Sequence, residues 1–222
     1  MNPVYDYDTL LFRLKKQFKE DYYAEDRRRV RMLGLCFARP TSPLAMKEIF
    51  PQIPDWHYRS GSHIDFYFAG FRDSRKVPNS LKVSMPGRGT WYYNPKVFDI
   101  FCKQVESRTK WKYSGGSDLI LVNATYLVDT DETEIDFSGA IVCQLDAMKE
   151  AKSFSSVEQH FEAIFHFAED SSDRDPTWGF SDRQAVSAGG SALQRIALSL
   201  LPAGLNAELE KLKHFAVKDI GR

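Results

Sequence analysis

Asp118-Leu119-Ile120-Leu121-Val122-Asn123-Ala124-Thr125-Tyr126-Leu127-Val128 is the stretch whose reading decides the fold. Its first half is continuously apolar, as in a strand covered on both faces rather than one. Asp129-Thr130-Asp131-Glu132-Thr133 then supplies an acidic turn, and 135–145 returns with strand character as an antiparallel neighbour. A strand buried on both sides needs layers above and below it, and the flanking sequence offers helices for both.

Upstream, Asn94-Pro95 is a cap followed by proline at the first helical position, and Val97, Phe98, Phe101, Cys102 and Val105 form one apolar stripe behind it. Downstream, Ser155 and Glu158 have capping-box spacing ahead of Val157, Phe161, Ile164, Phe165 and Ala168. Two strands come earlier: 30–38, bunched around Leu33-Gly34-Leu35-Cys36-Phe37, and 63–71, which alternates and then becomes continuously apolar. Pro40-Thr41-Ser42-Pro43 breaks the chain between them, with Ser42 capping a short helix to residue 50, and 51–61 is expected to be loop. The segment 72–90 is expected to be a long loop, or a loop holding a short strand at 81–85. Leu10, Leu11, Leu14, Phe18 and Tyr22 define an N-terminal helix with Asp8 as its cap. Beyond 170, Ser181 and Gln184 open a helix that Pro202 ends; Leu205, Leu209 and Leu212 mark another, and the tail from Phe215 is an edge strand or loose.

These signals describe one α/β domain over 1–222, divided into an N-terminal helix (1–29), an α/β core (30–170) and a C-terminal helical extension (171–222). The core order is strand, helix, strand, helix, strand, strand, helix. That order resembles the thioredoxin-like fold, which implies a central mixed sheet with flanking helices. The family's redox chemistry does not carry over. Pro40-Thr41-Ser42-Pro43 stands where its paired cysteines open the first core helix, and Ser114-Gly115-Gly116-Ser117 stands where its proline precedes the third strand. Cys36, Cys102 and Cys143 lie singly in apolar runs, as buried thiols do, so a thiol oxidoreductase is rejected.

Thirty basic and thirty acidic residues cancel, which disfavours a protein that coats a polyanion over its whole surface but allows a local basic patch. The apolar runs are strand-sized, short of the roughly 20 residues of a membrane span, and 1–8 lacks a basic-then-apolar leader. A cytoplasmic protein without a membrane segment is expected. No cofactor motif and no metal set is legible: there is no Cys-x-x-Cys, and His160 and His166 fall on opposite sides of one helix.

Several stretches could carry chemistry. Trp56-His57-Tyr58-Arg59-Ser60-Gly61-Ser62-His63-Ile64-Asp65 gathers two imidazoles, a guanidinium, hydroxyls and a carboxylate. Arg59 and Ser60 could grip an anion, His57 or His63 could move protons, and Asp65 is expected to pair with Arg59. Ser114-Gly115-Gly116-Ser117-Asp118 is a tight turn whose amides could greet a phosphate. Asp118 behind Glu106 resembles the opening of a restriction-endonuclease-like metal site. The acid-x-Lys element is absent, since Asn123-Ala124-Thr125 and Glu134-Ile135-Asp136 supply no lysine. Last, Arg72, Arg75, Lys76, Lys82 and Arg88 precede Trp91, Tyr92 and Tyr93, a mixture of bases and rings that suits a nucleotide, single-stranded nucleic acid or an acidic peptide through 72–93.

Two functional readings follow. One is a non-catalytic binding or assembly module with a protein partner docked on the apolar stripe of a terminal helix. Residues 58–70 resemble segments of bacterial proteins from defence or conflict systems, which would make it a subunit of a larger prokaryotic assembly. The other is an enzyme acting on a phosphorylated or nucleic-acid substrate, such as a degenerate metal-dependent nuclease, with His57, His63, Asp65 and Asp118 as catalytic candidates and Arg59, Ser60, Arg72, Arg75, Lys76, Arg88 and Trp91 as ligand contacts. Convergence of Arg59, His63 and Asp118 on one open cleft favours the enzyme. Dispersal into private pairs favours the module.

Overall fold

The computed structural model describes residues 1–23, 30–60, 64–72, 81–85, 89–152, 154–172, 215–218 and 220–221. The chain starts with a strand that sequence patterning did not reveal, β1 (Asn2–Val4), and continues into α1 (Tyr7–Tyr23). The cap of α1 is Asp6, whose carboxylate accepts the Thr9 amide at 2.7 Å; the expected cap Asp8 lies in the first turn, where its charge suits the helix dipole. Leu10, Leu14 and Phe18 of its stripe are fully buried, so that stripe serves this chain's own core and offers no docking surface.

After β2 (Val30–Phe37), Ser42 caps the next turn as expected, accepting the Ala45 amide at 3.2 Å. The turn is a π-helical segment (Ala45–Ile49) that runs through a 3-10 turn (Phe50–Gln52) into α2 (Ile53–Arg59). The loop expected over 51–61 is therefore largely helical. Pro51 and Pro54, the loop signals, fall within the first two positions of their turns, where a missing N–H costs no hydrogen bond.

Next come β3 (Ile64–Ala69), β4 (Phe71–Arg72), β5 (Lys82–Met85) and β6 (Gly89–Tyr93), then α3 (Pro95–Arg108). Asn94 Oδ1 caps α3, accepting the amides of Lys96 and Val97. The central hairpin is β7 (Asp118–Leu127) with β8 (Glu132–Gln144), followed by α4 (Leu145–Glu150), α5 (Val157–Ser172) and β9 (Phe215–Lys218). Ser156, not Ser155, caps α5 by accepting the Gln159 amide at 3.1 Å, and Glu48 takes the Val157 amide at 3.1 Å. Of the expected extension over 171–222, α5 reaches Ser172 and the tail forms an edge strand, while the helices expected over 181–212 lie outside the described residues.

One sheet has the order β1-β3-β2-β7-β8-β9. β1, β3 and β2 run parallel; β7, β8 and β9 each run antiparallel to the preceding neighbour. The α/β class and mixed sheet are as expected. On one face, Phe18 of α1 stacks on Tyr126 and Phe101 of α3 stacks on Phe37. On the other, Phe66 meets Phe161 and Phe165 of α5, and Trp56 of α2 stacks on Phe161 at 3.9 Å. The short strand expected at 81–85 forms as β5 and joins β4 and β6 in a second sheet, β4-β6-β5, that the expected loop did not include; Gly70, at φ 85, turns the chain into it.

Gly34 sits directly beside Phe66 in the parallel register, and a Cβ there would lie 2.4 Å from the ring. With Phe66 wedged against α5 the ring has no room to retreat. Gly34→Ala is expected to lower the urea midpoint, with a loss of about 1–3 kcal/mol, and an unchanged or raised midpoint would refute this packing.

Candidate functional site

Three of the expected residues line one cleft. His57 and Ser60 stand at the end of α2 and Asp65 at the start of β3, and with Arg13, Lys16, Gln17 and Glu20 of α1 they wall a space of about 460 Å³. Its size is that of a ligand pocket, but its wall is polar and carries both signs of charge.

The reactive groups in that wall are already engaged. Asp65 accepts from Arg31 at 2.8 Å and from Gln17 at 3.0 Å. Arg31 also grips Asp21. The Arg31 side chain is 5% exposed; burial opposes its charge, but Asp65 and Asp21 more than restore it and raise its pKa. Ser60 donates to the His57 carbonyl at 3.3 Å, and His57 Nδ1 lies 3.1 Å from the Met1 amino nitrogen. The expected pairing of Asp65 with Arg59 is not formed: Arg59 ends α2 on the far side and pairs with Glu162 of α5. His63 lies outside the described residues.

Asp118 is elsewhere. It stands opposite Phe37, whereas Asp65 stands opposite Leu33. Four residues of β2 separate the two, or about 13 Å at strand rise. Asp118 is fully buried and accepts the Ser114 amide at 3.0 Å and its hydroxyl at 2.5 Å. Burial pushes its carboxyl up and the two Ser114 contacts pull it back; the Trp111 indole nitrogen, which makes no hydrogen bond of good geometry, lies near enough to help hold the charge. Two further amides of this turn are spent as well: Gly116 donates to Ser114 Oγ at 3.2 Å and Ser117 to Asp146 at 2.5 Å. The turn that might have greeted a phosphate is hydrogen-bonded to itself and to α4. Glu106, the other acid of the nuclease comparison, accepts the Tyr113 amide at 3.0 Å. Among the described residues no three metal-ligating side chains converge.

The thiols are buried. Burial raises Cys36 and Cys143 and pushes Cys102 up to about 12, which disfavours the thiolate that exchange chemistry needs.

Within 72–93, Arg72 is exposed at the end of β4. Trp91 is not beside the bases: alternation along β6 turns it into the core, 1% exposed, opposite Val83. Tyr92, which takes the outward position, and Lys82 are the residues that belong with Arg72. Arg75, Lys76 and Arg88 lie outside the described residues. Arg31 went unrecognised as the hub of the cleft wall, although a basic residue between Val30 and Met32 in a buried strand was its available signal.

Comparison with protein-family models, with curated proteins and with solved structures returned no match.

Two outcomes follow. Arg31→Met leaves Asp21 without its guanidinium and Asp65 with Gln17 alone, and the loss of one partner from a buried ion network is expected to cost about 3–5 kcal/mol; a loss within the error of urea melts would show that the network is dispensable. His160 is buried beside Phe154, its Nε2 has no hydrogen-bond partner among the described residues, and burial lowers its pKa from 6.5 to about 4. The unfolded chain therefore takes up the proton first, so its contribution is full above pH 6.5 and is lost as pH falls towards 4, roughly 3 kcal/mol in all. His160→Leu should flatten that part of the stability profile, and an equally steep profile would refute the assignment.

Proposed function

We propose that this chain is a non-catalytic binding or assembly module, one subunit of a larger system, built on a thioredoxin-like framework without its reactive thiols. One observation carries the reading. The side chains that chemistry would need are spent in separate pairs: Arg59 on Glu162, Asp65 on Arg31 and Gln17, Asp118 on Ser114.

Partner for partner, those contacts are structural. A general base must have a lone pair free toward substrate, and a metal ligand must share its ion with neighbours. Asp65 and Asp118 stand at different levels of the sheet and could not share one ion. The framework half of the reading is supported by the parallel pair β2 and β3, joined through helical turns, beside the antiparallel hairpin β7 and β8.

Large apolar side chains are available for contact on the outer surface. Phe12 of α1 is 69% exposed and Ile100 of α3 is 50% exposed, each on the side of its helix away from the buried stripe. These exposed groups, rather than the terminal-helix stripe, support docking of a protein.

Thermal denaturation of the full chain tests the reading. With magnesium or manganese added, the midpoint is expected to stay unchanged, because among the described residues no three metal-ligating side chains converge to bind the ion in the native state. A rise with one divalent metal that Asp118→Asn abolishes would overturn the module and establish the nuclease-like alternative.

A further inference from the structure

The second sheet turns one face to the core and the other outward. Phe71, Val83, Met85, Trp91 and Tyr93 fill the inner face. On the outer face the register sets Arg72 of β4 opposite Tyr92 of β6, and Tyr92 opposite Lys82 of β5. Residues directly opposite in an antiparallel pair project from the same face, about 5 Å apart at Cα. A tyrosine ring therefore stands between two cations.

The alternation continues beyond the sheet. The Lys82 ammonium is 5.9 Å from the Tyr92 ring centroid; the Arg72 guanidinium lies 4.7 Å over the Tyr5 ring, and Arg13 of α1 approaches that ring at 5.9 Å. Lys82, Tyr92, Arg72, Tyr5 and Arg13, drawn from distant parts of the sequence, thus form one row of cation, ring, cation, ring, cation. Arg72 and Lys82 are exposed, and neither has a carboxylate partner among the described residues.

The geometry points to single-stranded nucleic acid as the ligand of this row, the cations meeting phosphates and Tyr92 stacking on a base. An acidic peptide would satisfy the cations but bring nothing flat to Tyr92. A duplex keeps its bases stacked inside and offers the ring none. A lone nucleotide spans one ring and its neighbouring cation, whereas an unpaired strand presents charge and open π-faces repeatedly along one line, as the row does. The zero formal charge of the chain disfavours binding spread over the whole surface and is compatible with a local basic row. This inference rests on the module reading and supplies its ligand class.

Fluorescence anisotropy of a labelled oligo-uridine, roughly a dozen nucleotides long, titrated with the full chain tests it. Saturable binding that weakens as salt rises is expected. Arg72→Gln with Lys82→Gln should weaken it roughly ten-fold or more and flatten the salt dependence. Tyr92→Leu should weaken it roughly ten-fold while Tyr92→Phe retains it, with circular dichroism unchanged in each. Absence of binding, binding indifferent to these substitutions, or preferential capture of a labelled poly-glutamate would each overturn the row as a nucleic-acid site. The fate of the strand separates the two proposals: bound through the row and recovered intact, both stand; bound through the row and cut, the row stands and the module reading falls; not bound, the row falls and the module reading is untouched.

Discussion

The Phe66 ring occupies the space beside Gly34 that any side chain at that position would claim. This close approach at the centre of the parallel pair β2 and β3 lets a large ring lie low on the sheet. Phe161 and Phe165 of α5 then pack on Phe66, and Trp56 of α2 stacks on Phe161. α5, and through Phe161 also α2, is thus seated on a ring whose position depends on a missing Cβ. Interiors are packed too densely for such a ring to move aside cheaply. The connection from β2 through α2 to β3 therefore has one way to close.

The opposite face is organised by charge as well as by packing. Arg31 is buried with Asp65 beside it on β3 and Asp21 near the end of α1. Its guanidinium ties helix to sheet where an apolar residue would leave two carboxylates uncompensated. A second ionic clasp lies outside: Asp131, in the turn between β7 and β8, is held by Lys15 and Lys19 of α1 and by the Tyr126 hydroxyl. Those cations hold its carboxyl well below the usual range. It is solvent-exposed and so fixes the position of the hairpin more than it stabilises the fold. Asp65, which sequence alone marks as reactive, is a fastener, and so is Asp131 of the acidic turn.

How far the sequence was legible follows the same division. The hairpin, the strand at 30–38 and the helix behind Asn94 are strong local patterns, and each forms; the single strand expected over 63–71 forms only as Ile64–Ala69, because Gly70 turns Phe71 into the second sheet. Misreadings arose where a local signal had two meanings. Pro51 and Pro54 break chains in general but open turns in particular, so α2 was concealed. Asp6 and Asp8 are both good caps, and only the Thr9 amide decides between them. β1 is three residues long and has no period to detect. The candidate site failed for another reason. Adjacency in sequence placed Arg59 beside Asp65, whereas α2 ends facing α5 and β3 begins facing α1. Ion-pair choice is a tertiary matter, invisible to spacing.

Chemistry and recognition make opposite demands on a polar side chain. A catalytic carboxylate has to keep a desolvated, unsatisfied lone pair aimed at substrate, at a cost in stability. A binding cation only has to stay exposed and uncompensated. In this molecule Asp65 and Asp118 are satisfied internally, while Arg72 and Lys82 stand on an open face on either side of a ring. Trp91 shows how strand alternation enforces that split. The largest ring of the segment went to the core, where area counts, and the smaller Tyr92 took the outward position between the charges. A surface of that kind can hold a flat, anionic ligand without ever reacting with it.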